Sequence, residues 1–303
     1  MSLFAAFSFF TRSRNAMLEV HLFWILPLLG FVAGVIAGVM GVGGGIVVVP
    51  ALSFLFTQWN FPRQAIMQIA ASTSLAVMVV TSSSSVWAHI RMRHVVFRHC
   101  LFMIPGVLLG SYCGTSLALV LPSRWLEPIF ASVVLILACW VWYRGGNDPR
   151  AADRSEDKGV ESFGWLLTFI GIVVGFFSGL LGIGGGMILM PLLLGMCMAV
   201  PQAVGLSASS VFVGALAGAL NFVISGSLAG STVALEIHQV PYMLGYVYIP
   251  AFIGIAVLSP VGAWLGARWT PLFSRVVLRR VWIFLLSLMG ILLLIQWSYA
   301  GSL

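Results

Sequence analysis

The chain has 303 residues, of which 60% are apolar and only 8% charged, and a mean hydropathy of +1.07. Soluble domains carry roughly 25% charged residues, so a solvated globular enzyme, a disordered chain and a nucleic-acid binder are excluded, and lipid is the solvent. The net charge of +7 comes from arginines clustered between apolar runs, with Lys158 the single lysine, which is a pattern of topogenic loops.

Met1 to Phe10 lack a positive start, so no cleaved leader is expected. Ten apolar segments follow, near 22–40, 46–57, 66–88, 101–121, 125–143, 164–182, 187–198, 203–224, 245–267 and 281–297. Between the fifth and sixth, Arg144 to Gly159 form the one hydrophilic stretch. This divides the chain into a first membrane repeat over 1–143, a cytoplasmic linker over 144–163 and a second repeat over 164–303. Cys100, Cys113, Cys139 and Cys197 lie in apolar runs without CxxC spacing and read as small packing residues.

The chain repeats itself across the linker. GVIAGVMGVGGGIVVVPAL from Gly34 returns as GFFSGLLGIGGGMILMPLL from Gly175, with six glycines and a proline matched at an offset of 141. Gln64-Ala65 and Gln202-Ala203 each lead into a serine-rich segment. Loop charge is opposed between the halves. Arg91, Arg93 and Arg98 follow the third segment, whose counterpart loop over 226–243 has no Lys or Arg. Only Arg124 follows the fourth, whose counterpart holds Arg268, Arg275, Arg279 and Arg280. Because Lys and Arg stay cytoplasmic, equivalent loops should face opposite sides. The expected fold is an all-α integral membrane protein, two inverted repeats of about five segments each, with short glycine-broken half-helices. A re-entrant second segment is the alternative that would place Arg12 and Arg14 inside.

Segments 46–57 and 187–198 span about 18 Å each at 1.5 Å per residue, too short to cross alone. Short, glycine-interrupted segments at matching repeat positions point to a transporter's central site. Gly43, Gly44 and Gly45, and likewise Gly184, Gly185 and Gly186, would leave backbone N–H groups at the start of a half-helix, an anion site by geometry and dipole. Close packing or a hinge is the other reading of the triplets. For the ladder Gly30, Gly34 and Gly38 packing is the expectation.

Ser74, Thr81 and Ser85 share a helix face that ends at His89; Ser207, Ser210, Gly214, Gly218 and Asn221 form a similar face in the second half. Hydroxyls and amides suit a polyoxygen anion, but serines also satisfy their own helix carbonyls. His89, Arg91, Arg93, His94, Arg98 and His99 form a basic loop that reads as a topology signal or as an electrostatic funnel, and His89 protonation is a candidate coupling device. Asp148, Asp153, Glu156, Asp157 and Glu161 lie in or beside the linker, and Glu19, Glu127 and Glu236 at segment edges or in loops, so no carboxylate is placed to carry a coupling ion at the midplane. No Walker lysine is present, which excludes ATP drive by this chain.

The pattern GxxxGxxGxGGGxxxxP in both halves, followed by AxxxxxASTSL from Ala65 to Leu75, resembles the sulfite exporter TauE/SafE family over essentially the whole chain. The resemblance implies a permease for sulfite, sulfoacetate and related sulfur-containing anions. It marks Gly41, Gly43 to Gly45 and Pro50 with Thr73 and Ser74, then Gly182, Gly184 to Gly186 and Pro191, and it matches His89 after the third segment. The second half departs from a plain Thr-Ser, offering Ser207, Ser209 and Ser210, with Asn221 as a further polar anchor. The expected function is export of a small sulfur-containing anion across the cytoplasmic membrane. The expected partners are that anion and the lipid bilayer, with no cofactor, no metal and no nucleic acid; a homodimer is an open option. A membrane-embedded metal- or thiol-handling enzyme or assembly factor is the competing class.

Overall fold

A computed structural model of the chain describes residues 16–144, 164–196, 198–228 and 240–300. The first 15 residues, nearly all of the expected linker, Cys197, and the loop with Glu236 and His238 lie outside the described residues.

The first half contributes α1 (Ala16–Met40), α2 (Gly45–Gln58), α3 (Ile66–Arg91), α4 (Phe97–Val120) and α5 (Ser123–Arg144). The second contributes α6 (Gly164–Leu181), α7 (Gly186–Gly195), α8 (Val200–Leu228), α9 (Ile249–Ala256), α10 (Ser259–Trp269) and α11 (Arg275–Ala300). Six of these are long and apolar enough to cross a bilayer: α3, α4, α5, α6, α8 and α11. The chain is an all-α, multi-pass membrane protein.

Three features differ from the sequence expectation. The ninth segment is not one helix: α9 and α10 are bent by 41° at their break, and the pair passes as a span only together. Pro260 at the second position of α10 has no N–H to continue the ladder from α9. Ahead of them stands a two-stranded hairpin, β1 (Met243–Leu244) against β2 (Val247–Tyr248), antiparallel, where Gly245 takes φ 56°. Cys113 and Cys139 are also exposed on the outer surfaces of their helices rather than packed inside; Cys100 is buried. Their apolar runs include the lipid-facing side, which composition alone does not separate from the core.

Helix pairing is reciprocal between the halves. α1 packs along α10 and α4 along α6, α3 meets α8, and α5 meets α11. Small residues set the first two contacts. A Cβ on Gly30, Gly34 or Gly38 would fall 2.1, 2.2 and 2.1 Å from the carbonyl oxygens of Ile255, Ser259 and Ala263. On Gly106, Gly110 or Gly114 it would fall 2.0, 2.1 and 2.0 Å from those of Thr168, Ile172 and Phe176. These glycines are packing surfaces, since only a missing side chain lets the backbones approach so closely. Contact numbers rise together in both ladders, so α1 runs parallel to α10 and α4 parallel to α6. In contrast, α3 and α8 run in opposite directions: Leu75 lies at Gly218, while Met78 and Val211 lie together beside Gly43.

Candidate functional site

The two glycine turns meet where α3 crosses α8. Gly41, Gly43 and Gly44 hold φ of 68°, 80° and 82°, and Gly182 and Gly184 hold 68° and 76°. This left-handed region is open to glycine and strained for other residues. It reverses the chain at the end of α1 and restarts it as α2, with Gly44 as the N-cap. Hydrogen bonding resumes with Val47 N–H donating to Gly44 O at 3.1 Å; in the second half Met187 N–H donates to Gly184 O at 3.3 Å. The first N–H groups of each half-helix precede that point and have no partner within their own helix.

The turns pass one another in opposite directions, backbone against backbone. A Cβ on Gly186 would lie 2.4 Å from Gly41 O, one on Gly184 2.8 Å from Val42 O, and one on Gly45 2.8 Å from Gly182 O. Met78 and Val211 flank both turns. A Cβ on Gly43 would lie 2.5 Å from Val211 Cγ1 and 2.9 Å from Met78 Sδ, and one on Gly184 2.8 Å from Met78 Sδ and 3.1 Å from Val211 Cγ1. Gly185 is pressed against Val174, and Gly44 against Ala33. The crossing is closed and tightly packed in this conformation.

One hydroxyl from each half ties the turns down. Ser74 on α3 donates to Gly182 O at 2.9 Å, and Ser207 on α8 donates to Gly41 O at 2.7 Å. Both hydroxyls are fully buried, where a lost hydrogen bond leaves a carbonyl without compensation.

The remaining candidates are distributed elsewhere. Thr73 accepts the Tyr248 N–H at 3.0 Å, and its neighbour Ser72 donates to Tyr246 O at 2.6 Å, so this pair anchors the hairpin. Tyr248 packs there with Phe56 and Phe61, at ring distances of 5.7 and 5.2 Å. Thr81 donates to Ser259 Oγ at 2.8 Å, and Ser85 Oγ is buried without a partner. Ser209 and Ser210 donate to their own helix at Gly205 O and Leu206 O, both at about the length of a normal hydrogen bond. They line a crevice of about 170 Å³, with Cys100, Phe97, Ile90 and Val95 among its other walls. Asn221 donates to Thr115 Oγ1 at 2.5 Å, which ties α8 to α4 away from the crossing. His89 is fully buried at the end of α3, its Nε2 3.3 Å from Gly38 O and its Nδ1 3.3 Å from His94 Nδ1.

The structure therefore brings together the triplets, Ser74 and Ser207, and leaves Thr73, His89, Ser209, Ser210 and Asn221 bonded to other partners. Met78 and Val211 escaped the sequence reading because apolar side chains in apolar runs carry no signal. Glu127 is the one carboxylate among the described side chains. It is 8% exposed in the second turn of α5, near the α3 start where Ser123 bonds Gln64 and Gln68.

A helical membrane domain with two short helices that begin at glycine turns and meet at one crossing has the architecture expected of a membrane transporter. The chain is a member of the sulfite exporter TauE/SafE family, whose model matches residues 26–293. Similar proteins carry transporter names. One from Haemophilus influenzae, named a probable membrane transporter protein, is 31% identical over 80% of this chain and 87% of its own length. Relatives with the same kind of name from Methanocaldococcus jannaschii and Bacillus subtilis are each 26% identical over 92% of this chain and 98% of theirs. No solved structure matches the chain.

Proposed function

We propose that this transporter exports a small sulfur-containing anion, sulfite or an organosulfonate such as sulfoacetate, across a bacterial cytoplasmic membrane, and that it acts as a carrier and not as an enzyme. The observation that carries this reading is the crossing itself. Both α2 and α7 begin there, so two positive helix ends converge on one locus. Movement of the glycine turns apart would free N–H groups of Gly43, Gly44 and Gly45 and of Gly184, Gly185 and Gly186 to face an oxyanion. Ser74 and Ser207 would then exchange carbonyl acceptors for the anion.

We also infer that the halves are inverted repeats over 1–143 and 164–303. The reciprocal pairing supports this, together with the opposite run of α3 and α8. α1 runs parallel to α10, and α10 runs parallel to α3, as the rising contacts Ser72 to Tyr246 and Thr81 to Ser259 indicate. The chain between α1 and α3 must then return across the membrane. The 14 residues of α2 supply about 21 Å of that path, and the glycine turn supplies the rest. This favours a broken span over a re-entrant one.

Direction follows from energetics. Each elementary charge feels about 2.3 kcal/mol per 100 mV, so an interior-negative potential drives a monoanion outward without a coupling ion. A flux screen in cells producing the protein, with sulfite, sulfate, sulfoacetate and taurine, tests the substrate class. Efflux of sulfite or sulfoacetate above the empty-vector rate is expected. Efflux confined to taurine or absent for all four contradicts the reading.

A further inference from the structure

His89 and His94 are five residues apart, and helical geometry alone would not bring their rings together. The end of α3 does. Arg93, a non-glycine residue, takes the left-handed conformation at φ 59°. Its N–H donates to Ile90 O at 3.0 Å, and the His94 N–H donates back to His89 O at 2.9 Å. This left-handed cap folds the chain back over the helix end, and such backbone strain on a non-glycine side chain accumulates at functional positions. The result is a ring separation of 5.6 Å, with the two Nδ1 atoms at 3.3 Å.

The proton positions follow from the acceptors. A carbonyl oxygen only accepts, so His89 Nε2 carries the hydrogen that points at Gly38 O. Neutral His89 then has a bare Nδ1, which accepts the Nδ1–H of His94. His94 presents its Nε2 as the remaining open nitrogen of the pair, and it is the half-buried member while His89 is fully buried. Gly38 O, which also accepts the Thr270 hydroxyl at 3.2 Å, lies three residues before the first glycine of the turn. The pair thus links the loop surface to the hinge end of α1.

We propose that His89 and His94 form a single proton-binding site on the basic face of the protein, and that its occupancy is linked to entry of the transported anion. One proton enters on His94 Nε2. The charge stays on His94, the ring nearer the surface, while fully buried His89 keeps its Nε2 hydrogen on Gly38 O and accepts the His94 Nδ1–H. A second proton would set two N–H groups against each other at 3.3 Å, so the pair takes up one. The proton stays on the basic side and is not carried across.

The charged groups on the surrounding elements favour an empty site until an anion arrives. Arg91 and Arg93 lie beside the pair on the chain, Arg98 and His99 at the start of α4, and Arg268 at the end of α10; α1 carries Glu19 and His21 only in its first two turns, at the opposite end from Gly38, and α8 carries no titratable side chain. Glu127 sits at the other end of α3. Burial pushes the His94 imidazole below its ordinary value. An anion at this face offsets the cationic field and favours the protonated pair, and by linkage the protonated pair holds the anion more tightly. This step rests on the transport reading above; the shared proton site does not.

The test uses the full chain in nanodiscs with labelled imidazoles, titrated by NMR in chloride and in methanesulfonate, an anion that does not itself titrate near neutrality. The two rings should titrate as one unit, and methanesulfonate should tighten proton binding about threefold, an upward shift of about half a pH unit. In His94→Gln, which changes a half-buried side chain, His89 should lose that shift. Arg93→Gly, which keeps the left-handed turn, should retain it. Rings that titrate independently, with His89 unchanged in His94→Gln, overturn the site. Coupled rings that ignore methanesulfonate overturn the linkage. A parallel flux measurement separates the two readings: no sulfur anion moving at any pH removes the transport proposal even where the rings titrate together.

Discussion

Ser74 hands its hydroxyl hydrogen to the carbonyl of Gly182, 2.9 Å away on the glycine turn of the opposite half. Ser207 does the same for Gly41 at 2.7 Å. Each half is thereby fastened by a side chain of the other, at the point where both half-helices begin.

Removing either hydroxyl leaves a buried carbonyl unpaired. Ser74→Ala and Ser207→Ala should each destabilise the closed state by about 1–3 kcal/mol. Thermal unfolding in detergent should fall for both, and the double variant should depart from the sum, because the two turns they fasten are packed against each other. Unchanged melting in both variants would show that the fastening carries no energy.

Gly43 and Gly184 combine a left-handed backbone with a missing side chain. Gly43→Ala would place a Cβ 2.5 Å from Val211 Cγ1, and Gly184→Ala would place one 2.8 Å from Met78 Sδ. Both should abolish anion flux in protein that still inserts and can be purified. Gly44→Val and Gly185→Val should do the same. Normal flux in any of these four variants would remove the turns from the transport path.

The outer ladder behaves differently. Gly34→Leu and Gly110→Leu push a side chain into a carbonyl of the neighbouring helix, at Ser259 and Ile172. Misassembly is expected, read as loss of monodisperse protein on gel filtration, with flux failing for want of folded protein.

Sidedness is testable with single cysteines in a cysteine-free background. Met92→Cys and Phe273→Cys should be blocked only by a permeant reagent, and Asn60→Cys by an impermeant one from outside. Labelling of all three from one side contradicts the inverted arrangement. Flux in the cysteine-free parent should persist, since a carrier has no use for thiol chemistry; its loss would favour the metal- or thiol-handling class.

Much of the architecture is legible because membrane helices announce themselves by length and apolarity, and because the glycine turns demand glycine at fixed spacing. Gly43 and Gly184 could be matched at an offset of 141 for that reason. The serines could not. Gln64-Ala65 and Gln202-Ala203 suggest an offset of 138, yet the structural counterparts Ser74 and Ser207, and Met78 and Val211, differ by 133. α8 follows α7 after a shorter connection than α3 follows α2, and loop length carries no pattern that would reveal it. The 41° bend between α9 and α10 hides in a run whose hydropathy is continuous. His94 was visible only as one member of a basic loop; its contact with His89 depends on a left-handed arginine, which a sequence does not advertise.

The central claim is that the glycine crossing conducts a sulfur-containing anion outward under the membrane potential. Purified protein in liposomes loaded with sulfite, with the potential set by a potassium gradient and ionophore, tests it most directly. Efflux should be saturable, should accelerate roughly in step with an interior-negative potential, and should vanish in Gly43→Ala. Sulfite retained at every potential, or released equally by wild type and Gly43→Ala, would contradict the account.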